Sequence, residues 1–372
     1  MPGPETPGWK IKGAGRNAAR SVQERISGGR QIHMGRRPSL QEFMETEVGS
    51  DSGPLNFRGR EALLGPMAHL DEVLRLGLPE QTVSILKGTQ IGMTSVAIGL
   101  ALYCVRVRRL NVGYFLPDQD FANRFADTRI RPAIRNPRLA AAMRDGRYRG
   151  AASKGLKEFP APGGSRFLYV LGLQDIGNAI SLPLDVLIRD EVDDLPPENL
   201  AWSNDRLDAS RIGLTVNLAM GRTPGRGIHA MYEDGDRRTW RVPCFGCQSE
   251  WTLEEHWPEV LADALADDGG PPRLVCPSCG AHLSRSAGRW APAGEPALRS
   301  HASWRIPQLA VEAIRLERIA AKWRAARRPG EAAKFRCSAL ALPDAGESRP
   351  IDAALISRLR ETAPYQMERP PA

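Results

Sequence analysis

Apolar runs of two kinds alternate between residues 80 and 230 of this 372-residue chain. Short β-rich runs, which predict strands, cover Thr82–Leu86, Leu110–Leu116, Arg166–Gly172, Asp185–Ile188 and Ile212–Leu218. Between the first two lies Ser95–Arg106, which is apolar nearly all round, as is typical of a helix buried beside a sheet. The alternation predicts an α/β fold in which a mainly parallel sheet is flanked by helices.

Helical periodicity marks several further segments. It predicts helices over Pro66–Leu76, Asp118–Asp127 and Asn136–Met143, and a long basic amphipathic helix over Val311–Arg328. Residues 1–54 lack such periodicity and are rich in Gly, Pro, Arg and Ser, so they are predicted to form a basic, disordered arm.

Positive charge is concentrated at the start of the chain. The whole sequence carries a formal net charge of +8, and residues 1–40 hold eight basic residues against two acidic ones. Such an arm suits DNA, because counterion release favours binding to a polyanion, although a solvated tail without a partner has the same composition. The chain lacks a run of 18 uncharged apolar residues and the apolar core of a signal peptide, so no membrane association is expected.

A candidate phosphate loop follows the first predicted strand. In the usual P-loop, which reads Gly, four residues, Gly, Lys and Ser or Thr, backbone N–H groups cradle the phosphates, the lysine reaches the terminal phosphates and the hydroxyl binds Mg²⁺. The residues predicted to bind ATP and Mg²⁺ here are Lys87, Gly88, Thr89, Gln90, Ile91, Gly92, Met93, Thr94 and Ser95. Met93 occupies the position of the usual lysine.

Lys87 is predicted to replace that lysine. The chemistry requires a cation near the β- and γ-phosphates, and the stem of Lys87 is long enough to place its ammonium over the loop. Gly88 and Gly92 let the backbone approach the nucleotide closely. Thr94 keeps the hydroxyl for Mg²⁺, and Gln90 offers an amide donor. The same segment fits a second interpretation, a strand-to-helix turn that binds nothing.

Two acids follow the fourth predicted strand. The apolar run Asp185–Ile188 leads through Arg189 into Asp190 and Glu191, a pattern typical of Walker B strands. Asp190 is predicted to hold Mg²⁺, and Glu191 to polarise the attacking water as a catalytic base. Both acids lie at the C-terminal edge of the predicted sheet, where open α/β sheets bind their ligands. Glu191 and Lys87 are therefore the predicted catalytic residues.

Four cysteines form two Cys-x-x-Cys pairs. The pairs are Cys244 with Cys247 and Cys276 with Cys279. Four thiolates bind Zn²⁺ tetrahedrally in a closed, structural site, so a zinc-ribbon-like module is predicted. A redox dithiol pair is the main alternative. Paired cysteines of this kind indicate a reducing cytoplasm rather than a secreted disulfide scaffold.

These motifs, in this order, resemble the lambda-type large terminase subunits of tailed phages over roughly residues 55–345. That family's phosphate loop also begins with its lysine, in the manner of Lys87. Asp190–Asp193 is similar to its Walker B signature. Thr223 and Pro224 fit its Ser-Thr-Pro coupling motif, although Arg222 stands where the family has Ser.

The resemblance implies a P-loop NTPase that uses ATP to drive double-stranded viral DNA into a procapsid, in the host cell cytoplasm. It also implies a homo-oligomeric ring on the portal protein and a small terminase subunit that recognises viral DNA. ATP, Mg²⁺ and structural Zn²⁺ are the implied ligands. Arg124, Arg129 and Arg131 are candidates for an arginine finger, because they follow the second predicted strand.

Family members continue into a nuclease domain of RNase H-like type. The residues after 345 are too few to form one, so nuclease activity is not expected in this chain. The polypeptide is then either truncated or paired with a separately encoded nuclease. The predicted organisation is an arm (1–54), an ATPase domain (55–240), a zinc-ribbon-like insertion (241–292), a helical segment that completes the ATPase region (293–345) and a tail (346–372).

Two other functions remain compatible with the sequence. In the first, Met93 marks a degenerate ATPase that acts as a non-enzymatic packaging or DNA-binding adaptor. In the second, the chain is a zinc-ribbon nucleic-acid binder of the transcription class with a helicase-like core. A helicase requires a second motor domain, and the chain after residue 230 is too short to form one.

Overall fold

A seven-stranded sheet lies at the centre of this computed structural model, which describes residues 37–50, 53–136, 139–140, 153–262, 271–346 and 356–357. The chain divides into two units, Met1–Pro38 and Ser39–Ala372, and the description below concerns the second. None of its described helices is both long and apolar enough to cross a membrane.

The α-helices of the described residues are short, with lengths between one and four turns. They are α1 (Leu40–Glu47), α2 (Leu64–Leu76), α3 (Met93–Tyr103), α4 (Gln119–Phe125), α5 (Arg131–Ile134), α6 (Pro197–Asn204), α7 (Ile228–Asp234), α8 (Leu316–Ala325) and α9 (Pro329–Leu340). Two π-helical turns, Cys104–Arg108 and Ala126–Ile130, extend α3 and join α4 to α5.

The strands fall into the central sheet and three smaller antiparallel groups. In chain order they are β1 (Gly49–Ser50), β2 (Gly53–Pro54), β3 (Thr82–Lys87), β4 (Val112–Leu116), β5 (Leu156–Ala161), β6 (Gly164–Gly172), β7 (Val186–Asp190), β8 (Leu214–Ala219), β9 (Thr239–Pro243), β10 (Glu250–Thr252), β11 (Leu261–Ala262), β12 (Arg273–Leu274), β13 (Arg289–Ala291) and β14 (His301–Ile306).

The central sheet has the order β14-β3-β8-β7-β4-β6-β5, and only β5 at its edge is antiparallel to its neighbour. Apolar side chains cover both faces. Val83 and Ile85 pack in the cluster that holds α1 to α5, whereas Leu86 packs with α6 and α7 on the opposite face. The predicted α/β fold with a mainly parallel sheet is therefore confirmed. The five predicted strands correspond to β3, β4, β6, β7 and β8, with ends shifted by one or two residues.

The structure differs from the sequence-based prediction at the start of the chain. Residues 1–36 of the predicted arm lie outside the described residues, but Leu40–Glu47 is the helix α1 and its Phe43 is fully buried. Ser39 and Glu42 form a capping box at its first turn. The Ser-x-x-Glu spacing is a recognised helix signal, so this helix was detectable from the sequence.

A second difference concerns residues 293–345, which were predicted to be helical. They begin with β14, which pairs in parallel with β3 along its whole length. The predicted helix over Val311–Arg328 is shorter, because α8 begins only at Leu316 and ends at Ala325, and Pro329 opens the separate helix α9. The predicted helix over Asn136–Met143 lies largely outside the described residues.

Three antiparallel strands, β10-β9-β13, form a small sheet between β8 and β14 in the sequence. An ion pair joins this module to the central sheet, since Arg305 Nε of β14 lies 3.0 Å from Glu254 Oε1 just after β10. Both side chains are buried, so each charge needs the other there. Trp290 Nε1 also donates to the carbonyl of Ala62, ahead of α2, at 2.8 Å.

Candidate active site and metal centre

The candidate phosphate loop connects the carboxyl end of β3 to the first turn of α3. Gln90 and Gly92 both adopt left-handed backbone angles, with φ values of 61° and 99°, which turn the chain tightly before the helix begins. The first backbone N–H groups of a helix have no partner within it and carry its positive dipole end. This end of α3 therefore faces the cleft as a ready anion site.

Residues that are distant in sequence hold this loop in place through hydrogen bonds. The Thr89 N–H donates to Ser338 O of α9 at 2.7 Å, and the Gly88 N–H donates to Ile306 O at 2.8 Å. The Gln308 side chain donates to Thr89 O, also at 2.7 Å. Sequence reasoning missed these contacts, because nothing in the loop itself indicates that β14 and α9 pack against it.

Lys87, Asp190 and Glu191 come together at the ends of nearby strands. Lys87 is the last residue of β3 and Asp190 the last of β7, with β8 between them in the sheet. Lys87 Nζ lies 2.9 Å from Glu191 Oε1 and 3.5 Å from Asp190 Oδ1. The Tyr114 hydroxyl donates to Asp190 Oδ2 at 3.0 Å and so orients that carboxylate.

The electrostatics of this cluster keep Lys87 charged. Burial by itself lowers the pKa of a lysine, and Lys87 is only 7% exposed. The nearby carboxylates of Asp190 and Glu191 outweigh burial, and the net effect is a pKa raised above the ordinary lysine value. The charged form of the ammonium is thus favoured beside the candidate phosphate loop.

Met93 lies where the candidate phosphate loop meets the hydrophobic core, and it also borders one of the clefts described below. It is 1% exposed and belongs to the hydrophobic cluster between the sheet and α1 to α5. An apolar side chain therefore packs in the core at the position of the usual lysine, and the buried cation beside the loop is Lys87.

Two adjoining clefts lie over the loop and the acids. One, of about 420 Å³, is lined by residues 87–95 together with Arg60, Arg129, Glu191 and Met220. The other, of about 390 Å³, lies between Thr94, Asp190 and α4. Thr94, Arg129 and Glu191 line both. These positions suit a polyphosphate along the loop with a divalent cation near Thr94 and Asp190, both oxygen donors that Mg²⁺ accepts.

The three candidate finger arginines have different surroundings. Arg129 lines both clefts, and Arg124 lines only the second. Arg131 instead pairs with Asp127 at 2.7 Å on the same helical segment. Of the three, Arg129 is therefore the one whose position reaches the phosphate loop.

The loop after β8 is tied to the segment that follows the acids. Asp193 accepts hydrogen bonds from the N–H groups of Arg222 and Ile228, at 3.1 and 2.8 Å. The Arg222 guanidinium forms a bidentate pair with Asp194, with donor–acceptor distances of 2.7 and 2.6 Å. Neither Thr223 nor Pro224, the predicted coupling residues, lines the two clefts described above.

The four paired cysteines converge at one point of the β10-β9-β13 module. The sulfur atoms of Cys244, Cys247, Cys276 and Cys279 all lie within 4.8 Å of one another. The two pairs fold alike, because the Gln248 N–H donates to Cys244 O and the Gly280 N–H donates to Cys276 O, each at 2.8 Å.

This sulfur set fits a tetrahedral zinc ion. Zinc–sulfur bonds of about 2.3 Å place neighbouring sulfurs about 3.8 Å apart. The Cys244–Cys279 and Cys247–Cys276 sulfur pairs are each separated by 3.6 Å. A redox dithiol needs only two sulfurs, so the convergence of all four matches metal ligation better than a redox pair. With four protein ligands the site is closed and suits a structural ion.

Comparison with known proteins finds a match to one family of ATPase domains. The model of the phage terminase large subunit gpA ATPase domain matches residues 79–295, more than half of the chain. No curated protein matches the sequence.

Among solved structures, the HK97 bacteriophage large terminase is similar, with 12% identity and a TM-score of 0.50, over 83% of this chain and 56% of that one. The Thermus phage P74-26 large terminase ATPase domain is 13% identical, with a TM-score of 0.45, over 70% of this chain and 88% of that one. At such identities, the likeness to the HK97 protein concerns the fold alone.

We predict that protein purified under reducing conditions contains about one zinc ion per chain, because four thiolates bind one ion. Replacing Cys276 with serine should remove most of the metal and increase hydrogen exchange in β9 to β13, since this small module depends on the ion for stability. Replacing Cys337, which is buried in α9 outside the cluster, should leave the zinc content unchanged. Elemental analysis that finds no zinc in the wild type would contradict the assignment.

Proposed function

The chain belongs to the phage terminase large subunit gpA ATPase-domain family, and we propose that it is a motor that hydrolyses ATP to move double-stranded viral DNA into a procapsid. The observation that carries the proposal is the Lys87–Asp190–Glu191 cluster beside a phosphate loop at the carboxyl edge of the parallel sheet. Open α/β sheets bind their ligands at this edge.

Lys87 and the loop residues 88–95 bind the phosphates of ATP in this proposal. The backbone N–H groups at the start of α3 hold the phosphate oxygens, and the Lys87 ammonium moves from the carboxylates to the β- and γ-phosphates. The ammonium exchanges the carboxylates for the phosphates, so Lys87 keeps an anionic partner throughout. Asp190 is freed in the same step to hold a metal ion.

Asp190 and Thr94 hold Mg²⁺ with the nucleotide, and Glu191 acts on the attacking water. When bound, Mg²⁺ supplies charge neutralisation for the phosphate oxygens. The carboxylate of Glu191 is half-buried, and it lines both clefts, so it reaches the space where water would approach a γ-phosphate. As a general base it accepts the proton of that water.

We infer the partners and the cellular location of this chain from its membership of the family. Large terminases of this family typically engage DNA and other packaging proteins, and we propose the portal protein, the small terminase subunit and a homo-oligomeric ring as partners in the host cell cytoplasm. Thr223 and Pro224 are proposed to couple nucleotide state to movement, through the loop that Asp193 and Arg222 tie to the acids.

Replacing Lys87 with alanine should lower DNA-stimulated ATP turnover by about 10² to 10³-fold, because it removes a fixed cation from the developing charge. Steady-state phosphate release measures this. Lys334→Ala, an exposed lysine on α9, is the matched control and should retain wild-type turnover. Thermal unfolding of both variants checks that the loss is not one of folding.

Two results would oppose this assignment. Wild-type turnover by the Lys87→Ala variant would remove Lys87 from the mechanism. Wild-type protein that hydrolyses no ATP with DNA present would favour the non-enzymatic adaptor instead.

Replacing Glu191 with glutamine should slow turnover by roughly 10² to 10⁴-fold while ATP binding persists, because the amide cannot accept a proton from water. The substitution preserves the shape of the side chain. Binding of a fluorescent ATP analogue and single-turnover hydrolysis separate the two effects. Glu198→Gln, an exposed acid on the nearby α6, is the control. Equal turnover by the Glu191 variant and the wild type would rule out the general-base role.

A further inference from the structure

Gln308 is a buried polar residue that touches the phosphate loop directly. It has no exposed surface, and it lies just after β14 in the short turn Gln308–Ala310. Its Nε2 donates to Thr89 O at 2.7 Å and to Thr89 Oγ1 at 3.1 Å. One carboxamide therefore fixes both the backbone and the side chain of a loop residue.

The other end of the Gln308 carboxamide faces α8. Its Oε1 accepts a hydrogen bond from Lys322 Nζ at 3.3 Å. Lys322 itself is exposed. Three residues thus form a continuous polar connection, from the protein surface at Lys322, through buried Gln308, to Thr89 in the phosphate loop.

The helix that carries Lys322 is strongly basic. Between residues 315 and 328 one acid, Glu317, accompanies six basic residues, namely Arg315, Arg318, Lys322, Arg324, Arg327 and Arg328. All six except Arg324 are exposed, whereas Ile319 and Ala320 are buried. Arg318 and Lys322 are the exposed basic residues within α8, and Arg315, Arg327 and Arg328 lie just beyond its two ends. Such a concentration of exposed positive charge is the electrostatic pattern of a polyanion-binding surface.

Aromatic contacts hold α8 firmly in place. Trp323 packs against Phe335 of α9 and Trp257 of the cysteine module, with ring centroids 5.4 and 6.3 Å apart. The helix is thus anchored on its buried side while its basic side faces outward. A ligand on that surface acts on side chains such as Lys322 rather than by displacing the helix.

We propose that this basic face of α8 binds the phosphate backbone of duplex DNA, and that Lys322 and Gln308 transmit DNA occupancy to the phosphate loop as positioning residues. The inference rests on the proposed ATPase function, because it names Lys322 and Gln308 as the residues through which DNA acts on the same site. A DNA phosphate near Lys322 competes with Gln308 Oε1 for the ammonium. The change alters how the carboxamide holds Thr89, and with it the loop that binds ATP.

The test compares positions that share charge but differ in their contact with Gln308. Arg318 lies four residues before Lys322 on the same side of α8, and no hydrogen bond joins it to Gln308 in the described residues. Arg318→Met and Lys322→Met each remove one cation from the basic face. Lys334→Met, on α9, removes a cation elsewhere. ATP turnover is measured on the full chain at rising concentrations of duplex DNA, and DNA affinity by fluorescence anisotropy.

We expect Arg318→Met and Lys322→Met to weaken DNA binding to a similar extent and to reduce its salt dependence. At saturating DNA, the ratio of DNA-stimulated to DNA-free turnover should fall about tenfold for Lys322→Met alone, because this variant lacks the Lys322–Gln308 hydrogen bond with or without DNA. Tenfold is the scale of one hydrogen bond to a charged group. Lys322→Arg should restore it. Gln308→Glu should raise the KM for ATP without a matching loss of kcat, since a carboxylate repels the Thr89 carbonyl.

Full stimulation of Lys322→Met at saturating DNA would overturn the connection through Gln308. Equal loss of stimulation in Arg318→Met would overturn it too, because charge alone would then explain the effect. Unchanged DNA affinity in both Arg318→Met and Lys322→Met would show that DNA does not bind this face of α8. A wild type that hydrolyses ATP but shows no stimulation refutes the inference alone, whereas a wild type with no ATPase activity removes the proposed function as well.

Discussion

The rest of the site depends on one buried cation held between two carboxylates. A lysine ammonium that is removed from water needs partners of opposite charge, and Lys87 finds them in Asp190 and Glu191. Their spacing follows from strand order, because β3 and β7 lie on either side of β8 and end at the same edge. The same arrangement suits a nucleotide, since phosphates can replace the carboxylates as partners of the ammonium.

The cysteine module and the C-terminal helices help to position the candidate phosphate loop. After the module, the chain returns to the central sheet as β14, next to the strand that carries Lys87. Arg305 in β14 binds Glu254 of the module, and Gln308 just beyond it holds the phosphate loop. A metal ion that stabilises the module therefore also stabilises the segment from which the loop is positioned.

Local patterns in the sequence predicted much of this structure. The apolar runs predicted five strands of the sheet, and in the structure Asp190 ends β7 and Glu191 follows it, as Walker B patterns do. The strand β14 escaped detection because its polar residues His301, Ser303 and Arg305 make it resemble an exposed segment. In the structure these side chains are buried and bonded to Ser84, Tyr232 and Glu254. Partners so distant in sequence leave no local signal, and the contacts of Gln308 were missed for the same reason.

Met93 and Lys87 together distinguish this phosphate loop from the usual P-loop. The usual P-loop pattern fails at Met93, and the need for a cation near the phosphates predicts Lys87 in its place. The structure gives the reason for the difference, since Met93 packs in the core below the loop while Lys87 faces the acids.

Affinity labelling with an acyl-phosphate derivative of ATP tests the role of Lys87 most directly, because the reagent acylates lysines that lie beside bound phosphates. We predict that peptide mass spectrometry finds Lys87 as the main labelled lysine, that excess ATP and Mg²⁺ suppress this labelling, and that exposed Lys334 shows no such protection. Labelling of other lysines alone, by protein that hydrolyses ATP, would contradict the account.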